Sequence, residues 1–66
     1  MAKSKAAIQR EVTVDEEPCL VWVGQQSARL YLAYGDFRGK RIDVTGMDVS
    51  HALSQWKRMA EVAANE

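Results

Sequence analysis

The 66-residue chain has nine Lys and Arg residues against nine Asp and Glu residues, so its formal net charge is zero. This balance argues against a protein that binds nucleic acid through bulk electrostatic attraction. The hydrophobic content of 47% argues against a disordered chain. One cysteine and one histidine are too few for an intrachain disulfide or for a structural zinc site with four N or S ligands. The length predicts one small domain with a thin stability margin.

The N-terminal region separates into a tail and an alternating segment. Residues 1–7 are small and basic without periodicity, which predicts a flexible tail ahead of a single domain over residues 8–66. Residues 8–14 place Ile8, Val12 and Val14 on one side, which is typical of an edge strand or of an arm lying along a sheet. The N-terminus lacks the apolar stretch of a secretory signal, and no run is long enough to span a membrane. We therefore expect a cytoplasmic protein with no membrane partner.

Three strands are predicted in the middle of the chain, at residues 19–23, 28–33 and 41–45. Residues 24–27 and the glycine-containing segment 34–40 are predicted as the two hairpin loops between them. Alternation along the strands defines a core face and an opposite face. The predicted core face comprises Cys19, Val21, Val23, Leu30, Leu32, Ile42 and Val44. The predicted opposite face carries Trp22, Arg29, Tyr31 and Arg41, and also Asp43.

One amphipathic helix is predicted at residues 48–63, with Asp48 as its N-cap. Its apolar residues recur at the spacing of one helix face, and Trp56 is the largest of them. The predicted fold class is α+β, in the order β-β-β-α. A three-stranded antiparallel sheet, with residues 8–14 as a candidate extra N-terminal edge strand, packs on one C-terminal helix. One helix covers only one face of such a sheet, so the opposite face meets water, the N-terminal arm or a partner.

No arrangement in the sequence favours catalysis. His51 has no cysteine at a spacing that would indicate a catalytic pair. The strand position of Cys19 points its thiol into the core. Gly35 and Gly39 match no phosphate-binding pattern, and the acidic residues 15–17 lack the spacing of a calcium loop. We therefore expect a protein that is not an enzyme, with no catalytic residues, metal, cofactor or small-molecule substrate.

The opposite face of the sheet is the candidate binding surface. Arginine can contact guanine edges or phosphate, a short sheet fits the major groove, and Trp22 and Tyr31 can stack on bases. The basic residues Arg38, Lys40 and Arg41 of the second hairpin can hold the DNA backbone. The same residue types also stabilise an exposed sheet face by cross-strand pairing, or pack beneath residues 8–14 as part of the core.

Part of the chain resembles a known class of DNA-binding domain. The residues that carry the resemblance are Trp22-Val23-Gly24, Ala28-Arg29-Leu30-Tyr31-Leu32, Gly39-Lys40-Arg41, Thr45-Gly46 and Ala52-Leu53-Ser54-Gln55-Trp56. This pattern is similar to the amino-terminal arm-site-binding domain of phage-type tyrosine recombinases and to plant ethylene-response-factor type domains. The resemblance implies a sheet inserted into the major groove with the helix behind it. Arg29, Tyr31 and Arg41 would then face DNA and Lys40 would contact phosphate.

The leading hypothesis is therefore a small DNA-binding accessory or regulatory protein of a phage or mobile element. Its predicted site comprises Trp22, Arg29, Tyr31, Arg38, Lys40 and Arg41, and its partner is double-stranded DNA. The alternative is a protein-binding module or inhibitor, or a homodimer, that uses the same face, because interface hot spots favour Trp, Tyr and Arg. Charge geometry discriminates between them. One basic patch with the acids elsewhere favours DNA, whereas acids and bases interleaved around an apolar centre favour a protein interface.

Overall fold

The computed structural model describes residues 7–65. Four antiparallel strands form a meander in which each strand pairs with the next in the chain, and one helix follows. The elements are β1 (Ile8–Val14), β2 (Glu17–Ser27), β3 (Leu30–Phe37), β4 (Lys40–Gly46) and α1 (Val49–Ala64). The predicted α+β order with a C-terminal helix is confirmed, but the sheet has four strands and not three. The predicted tail falls, except for residue 7, outside the described residues.

Residues 8–14 form an edge strand. β1 pairs along its whole length with β2, and Val12 lies opposite Cys19. Its alternating residues put Val14 into the core and Val12 against it. A hydrogen-bonded edge strand therefore replaces the alternative of an arm folded over the opposite sheet face.

The hairpin turns are shorter than predicted. β2 continues to Ser27 and β3 continues to Phe37, so most of the two predicted loops is strand. The β3–β4 turn consists of Arg38 and Gly39, which have φ values of 53° and 81°. Two consecutive residues with positive φ are the signature of a type I′ turn, whose twist matches that of the flanking strands. This match lets the strands pair up to the turn.

The side chains of β3 that face the helix are not the ones that were predicted. Ala33 and Phe37 are buried and Tyr31 packs against the core, whereas Leu30 is exposed. The predicted core positions of Leu30 and Leu32 are therefore wrong. The reason is the bulk of Trp56 on the helix. A Cβ at Gly35 would lie 3.3 Å from the Cζ2 atom of Trp56, so the absence of a side chain at Gly35 makes room for the indole ring.

The predicted helix and its N-cap are confirmed. Asp48 accepts a hydrogen bond from the backbone N–H of His51 over 2.8 Å, and His51 Nδ1 accepts one from the backbone N–H of Met47 over 3.0 Å. These bonds satisfy backbone donors at the start of the helix. Of the predicted apolar stripe, only Met59 is exposed.

The core lies between the helix and one face of the sheet. The predicted core positions on β2 and β4 are confirmed, because Cys19, Val21, Val23 and Ile42 are buried and Val44 packs against them. Trp56 fills the centre. The other core members are Val14, Ala33, Phe37, Ala52 and Ala60. Within residues 7–65, no helix is long and apolar enough to cross a membrane.

Candidate binding surface on the open sheet face

The sheet face that points away from the helix is formed by cross-strand rows of side chains. Trp22 lies opposite Gln9 on one side and Tyr34 on the other, and Tyr34 lies opposite Asp43. Directly opposed residues of antiparallel strands share a face. We call this surface the open face. Its apolar and charged members are Leu20, Trp22, Leu32, Tyr34, Glu11, Asp36, Arg41 and Asp43.

Four apolar or aromatic side chains form the centre of the open face. Leu20 is 55% exposed and Trp22 is 38% exposed, while Leu32 and Tyr34 are half-buried beside them on the next strand. Trp22 and Tyr34 are direct cross-strand partners, so their side chains leave the sheet next to each other on the same face. The result is a contiguous apolar surface in contact with water.

Charged groups, most of them acidic, surround that centre. The Arg41 Nε atom donates a hydrogen bond to Asp43 over 3.0 Å, and its guanidinium lies 5.3 Å from the centroid of the Tyr34 ring. The bond to Asp43 raises the pKa of Arg41. Glu11 stands opposite Leu20 on the edge strand, and Asp36 stands opposite Arg41. The open face thus carries three carboxylates and one guanidinium.

Arg38 links two hairpin turns instead of facing outward as a free cation. Its Nε donates a hydrogen bond to Glu17 over 2.6 Å, and its Nη2 donates one to Asp15 over 3.0 Å. These two bonds raise the pKa of Arg38, with the one to Glu17 contributing most. The guanidinium also lies 4.8 Å from the centroid of the Phe37 ring. Arg38 therefore ties the β3–β4 turn to the β1–β2 turn.

The structure separates the residues that the sequence grouped as one site. Trp22 and Arg41 lie on the open face as predicted. Tyr31 lies on the helix side of the sheet, because the side chains of β3 alternate in the opposite sense to the prediction. Arg29 occupies the β2–β3 turn, at the other end of β3 from Arg38. Lys40 is the first residue of β4 and lies opposite Phe37.

Several open-face residues were missed by the sequence reasoning. Tyr34 and Asp36 were assigned to a loop, and Leu32 was assigned to the core. The sequence signal that could have found them is Gly39, because glycine favours the second position of a two-residue hairpin turn. The structure shows the positive φ that this position requires. A β3 strand that continues to this turn puts Leu32, Tyr34 and Asp36 on one face.

Other kinds of site find no support in the part of the chain that the structure describes. No group of three His, Cys, Asp or Glu side chains there is arranged to hold a metal ion. Cys19 is only 8% exposed, and burial raises the pKa of its thiol, which favours the protonated form. Comparisons with protein-family models, with curated proteins and with solved structures found no significant match, so the resemblance to the recombinase arm-site domain stays a prediction.

Proposed function

We propose that this chain is a protein-interaction module whose open face binds a partner protein with an apolar, positively charged docking surface. The observation that carries the proposal is the apolar centre of the open face, which is surrounded by three carboxylates and one arginine. Hot spots of protein interfaces combine aromatic side chains and arginine with a surrounding polar rim. The open face has this composition, with Trp22 and Tyr34 at its centre and Arg41 beside them.

The exposed apolar area supports a binding role. Leu20 and Trp22 neighbour each other on the same face of β2, and both leave a large fraction of their surface in water. Contiguous apolar patches of this kind on small soluble proteins mark interaction sites more often than isolated exposed residues do. A partner that covers these side chains would gain the free energy of their burial.

The sign of the charge selects the kind of partner. Glu11, Asp36 and Asp43 outnumber Arg41 on the open face, and complementary potentials across an interface favour a partner with net positive charge. A second copy of this chain docked face to face would bring the same carboxylates together. The open face is therefore better matched to a different, basic protein surface than to itself.

DNA binding by the sheet face stays a prediction, and the charge geometry supports it less well. Arg41 is bonded to Asp43, and Arg38 is bonded to Asp15 and Glu17. The carboxylates on the open face would meet phosphate groups of the same sign. Arg29 and Arg38 lie at opposite ends of β3. An extended strand rises about 3.3 Å per residue, which puts them roughly 30 Å apart. They therefore do not form one basic patch.

The test uses random 12-residue peptides displayed on phage, selected on the parent protein. Leu20→Ser removes one apolar side chain from the open face, and Met59→Ser is the matched control because Met59 is similarly exposed on the helix, at 51%. We expect enriched peptides to bind the parent and Met59→Ser equally and Leu20→Ser at least tenfold more weakly. Chemical shift changes in ¹⁵N-labelled protein should map to the open face.

Three results would contradict the proposal. The first is the absence of enriched peptides, and the second is peptide binding that Leu20→Ser does not weaken. The third is a set of salt-sensitive chemical shift changes on the open face with a mixed-sequence DNA duplex, which would restore the DNA hypothesis. Sedimentation velocity of the parent and Leu20→Ser distinguishes a homodimer, which would appear as self-association lost in the variant.

A further inference from the structure

The sheet divides into two hairpins at one end. The ladder between β2 and β3 runs from the Ser27–Leu30 pair to the Val21–Gly35 pair. Beyond that pair, residues 17–20 of β2 are paired with β1, and residues 36–37 of β3 are paired with β4. The β1–β2 and β3–β4 hairpins therefore separate from each other towards their turns.

A groove of about 450 Å³ lies at this division. Its lining includes four members of the open face, which are Leu20, Trp22, Asp36 and Arg41. At the end of the groove nearest the two turns, Arg38 of the β3–β4 turn bonds to Asp15 and Glu17 at the β1–β2 turn. The volume falls within the range of sites that enclose a small ligand or a large side chain.

One carboxylate in the groove has no direct salt-bridge partner. Glu17 is bonded to Arg38, and Arg41 is bonded to Asp43 outside the groove. Asp36 forms no salt bridge within residues 7–65. Arg41 lies opposite Asp36 across the strands and attracts its charge, but bonds directly to Asp43. The carboxylate of Asp36 thus stands beside the apolar surfaces of Leu20 and Trp22. A cationic head on an apolar stem matches these two features together.

We propose that the groove accepts one basic side chain of the partner, arginine in preference to lysine, with its charged group at Asp36 and its stem along Leu20 and Trp22. Arginine fits better because a planar guanidinium can stack on an indole ring and bind a carboxylate through two hydrogen bonds. This inference rests on the proposed function, since it assigns the anchor residue of a partner bound to the open face.

The experiment is a double-mutant cycle on a peptide obtained from the display selection. The arginine of the peptide is replaced by citrulline, which keeps the shape of the side chain and removes its charge. We expect the replacement to weaken binding to the parent about fivefold, which corresponds to one partly exposed ion pair. Binding to Asp36→Asn should change less than twofold. Glu11→Gln is the matched control, because it removes one carboxylate from the open face outside the groove, and the fivefold effect should persist there.

The outcomes separate this inference from the proposed function. Selected peptides that need Leu20 but lack a basic residue overturn the basic anchor and leave the protein-binding surface standing. If citrulline weakens peptide binding equally for the parent and for Asp36→Asn, the basic anchor at Asp36 is also overturned and the protein-binding surface is not. Peptides that bind regardless of Leu20→Ser, or the absence of any enriched peptide, overturn both proposals. The ¹⁵N spectrum of Asp36→Asn verifies that the variant is folded.

Discussion

The indole N–H of Trp56 donates a hydrogen bond to the backbone carbonyl of Ile42 over 2.9 Å, and the Trp56 side chain is completely buried. This bond joins the middle of the helix to β4 and lets a residue with a polar N–H occupy the centre of the core. Burying the same group without a partner would cost the desolvation free energy of the N–H. Trp56 is thus both the largest core side chain and a fixed point between helix and sheet.

Trp56→Phe should lower the free energy of unfolding by about 2–3 kcal/mol, because it leaves the Ile42 carbonyl without its donor and removes buried volume. Trp22→Phe is the matched control on the opposite side of the sheet, and we expect it to change stability by less than about 0.5 kcal/mol. Urea unfolding of both variants measures the difference. Equal losses would mean that the Trp56 bond contributes nothing.

Gly35→Ala should lower the free energy of unfolding by about 1–3 kcal/mol. An added Cβ would lie 2.7 Å from the carbonyl oxygen of Leu20, which belongs to the backbone and cannot swing aside. At Gly24, the same substitution meets nothing within 4 Å, and we expect a gain of about 0.5 kcal/mol from the reduced freedom of the unfolded chain. Thermal unfolding of the two variants checks the predicted opposite signs.

The β1–β2 turn stores backbone strain that glycine would relieve. Asp15 and Glu16 have φ values of 53° and 66°, and the second position of a type I′ turn favours glycine. Glu16→Gly should therefore raise stability by about 0.5–1 kcal/mol. Glu17→Gly, one residue later, removes an Arg38 partner and should lower it. A gain for both variants in urea unfolding would argue against the turn assignment.

Arg38→Gln should lower the melting temperature slightly at low salt, because it removes both bonds between the two hairpin turns. The difference from the parent should shrink in 1 M NaCl, since exposed ion pairs are screened. Arg29→Gln is the control, because Arg29 lies in the β2–β3 turn and forms no ion pair with any described residue. A loss that is independent of salt would assign the effect to packing on Phe37 instead.

The buried thiol of Cys19 makes stability depend on alkaline pH. Its pKa is raised in the folded protein, first by burial and then by the nearby Glu17, from an ordinary value of 9.0. The folded state therefore holds its proton more strongly than the unfolded state does. The contribution is fully present below pH 9 and is lost as the pH rises through the folded-state value. Cys19→Ala should lose less stability between pH 8 and pH 10.5 than the parent does, as followed by urea unfolding.

Some features of this protein were determined locally and could be predicted from the sequence. The alternation of β2 could place Cys19 and Val21 on one face and Trp22 on the other, because only one of its two alternating sets is consistently aliphatic. The helix and its Asp48 cap follow from periodicity and from the side-chain chemistry of the first turn. These signals depend on residues within one or two turns of each other.

Other features depend on contacts between distant parts of the chain. Both alternating sets of β3 are apolar enough to be buried, so the orientation of that strand was decided by the bulk of Trp56, which requires Gly35 beside it. The partners of Arg38 lie 21 and 23 residues earlier in the chain. The position of Asp36 beside Leu20 and Trp22 likewise exists only where the two hairpins separate. The sequence determined the centres of β2, β3 and β4 and the helix, whereas tertiary packing decided how far the strands extend and which β3 residues lie on the open face.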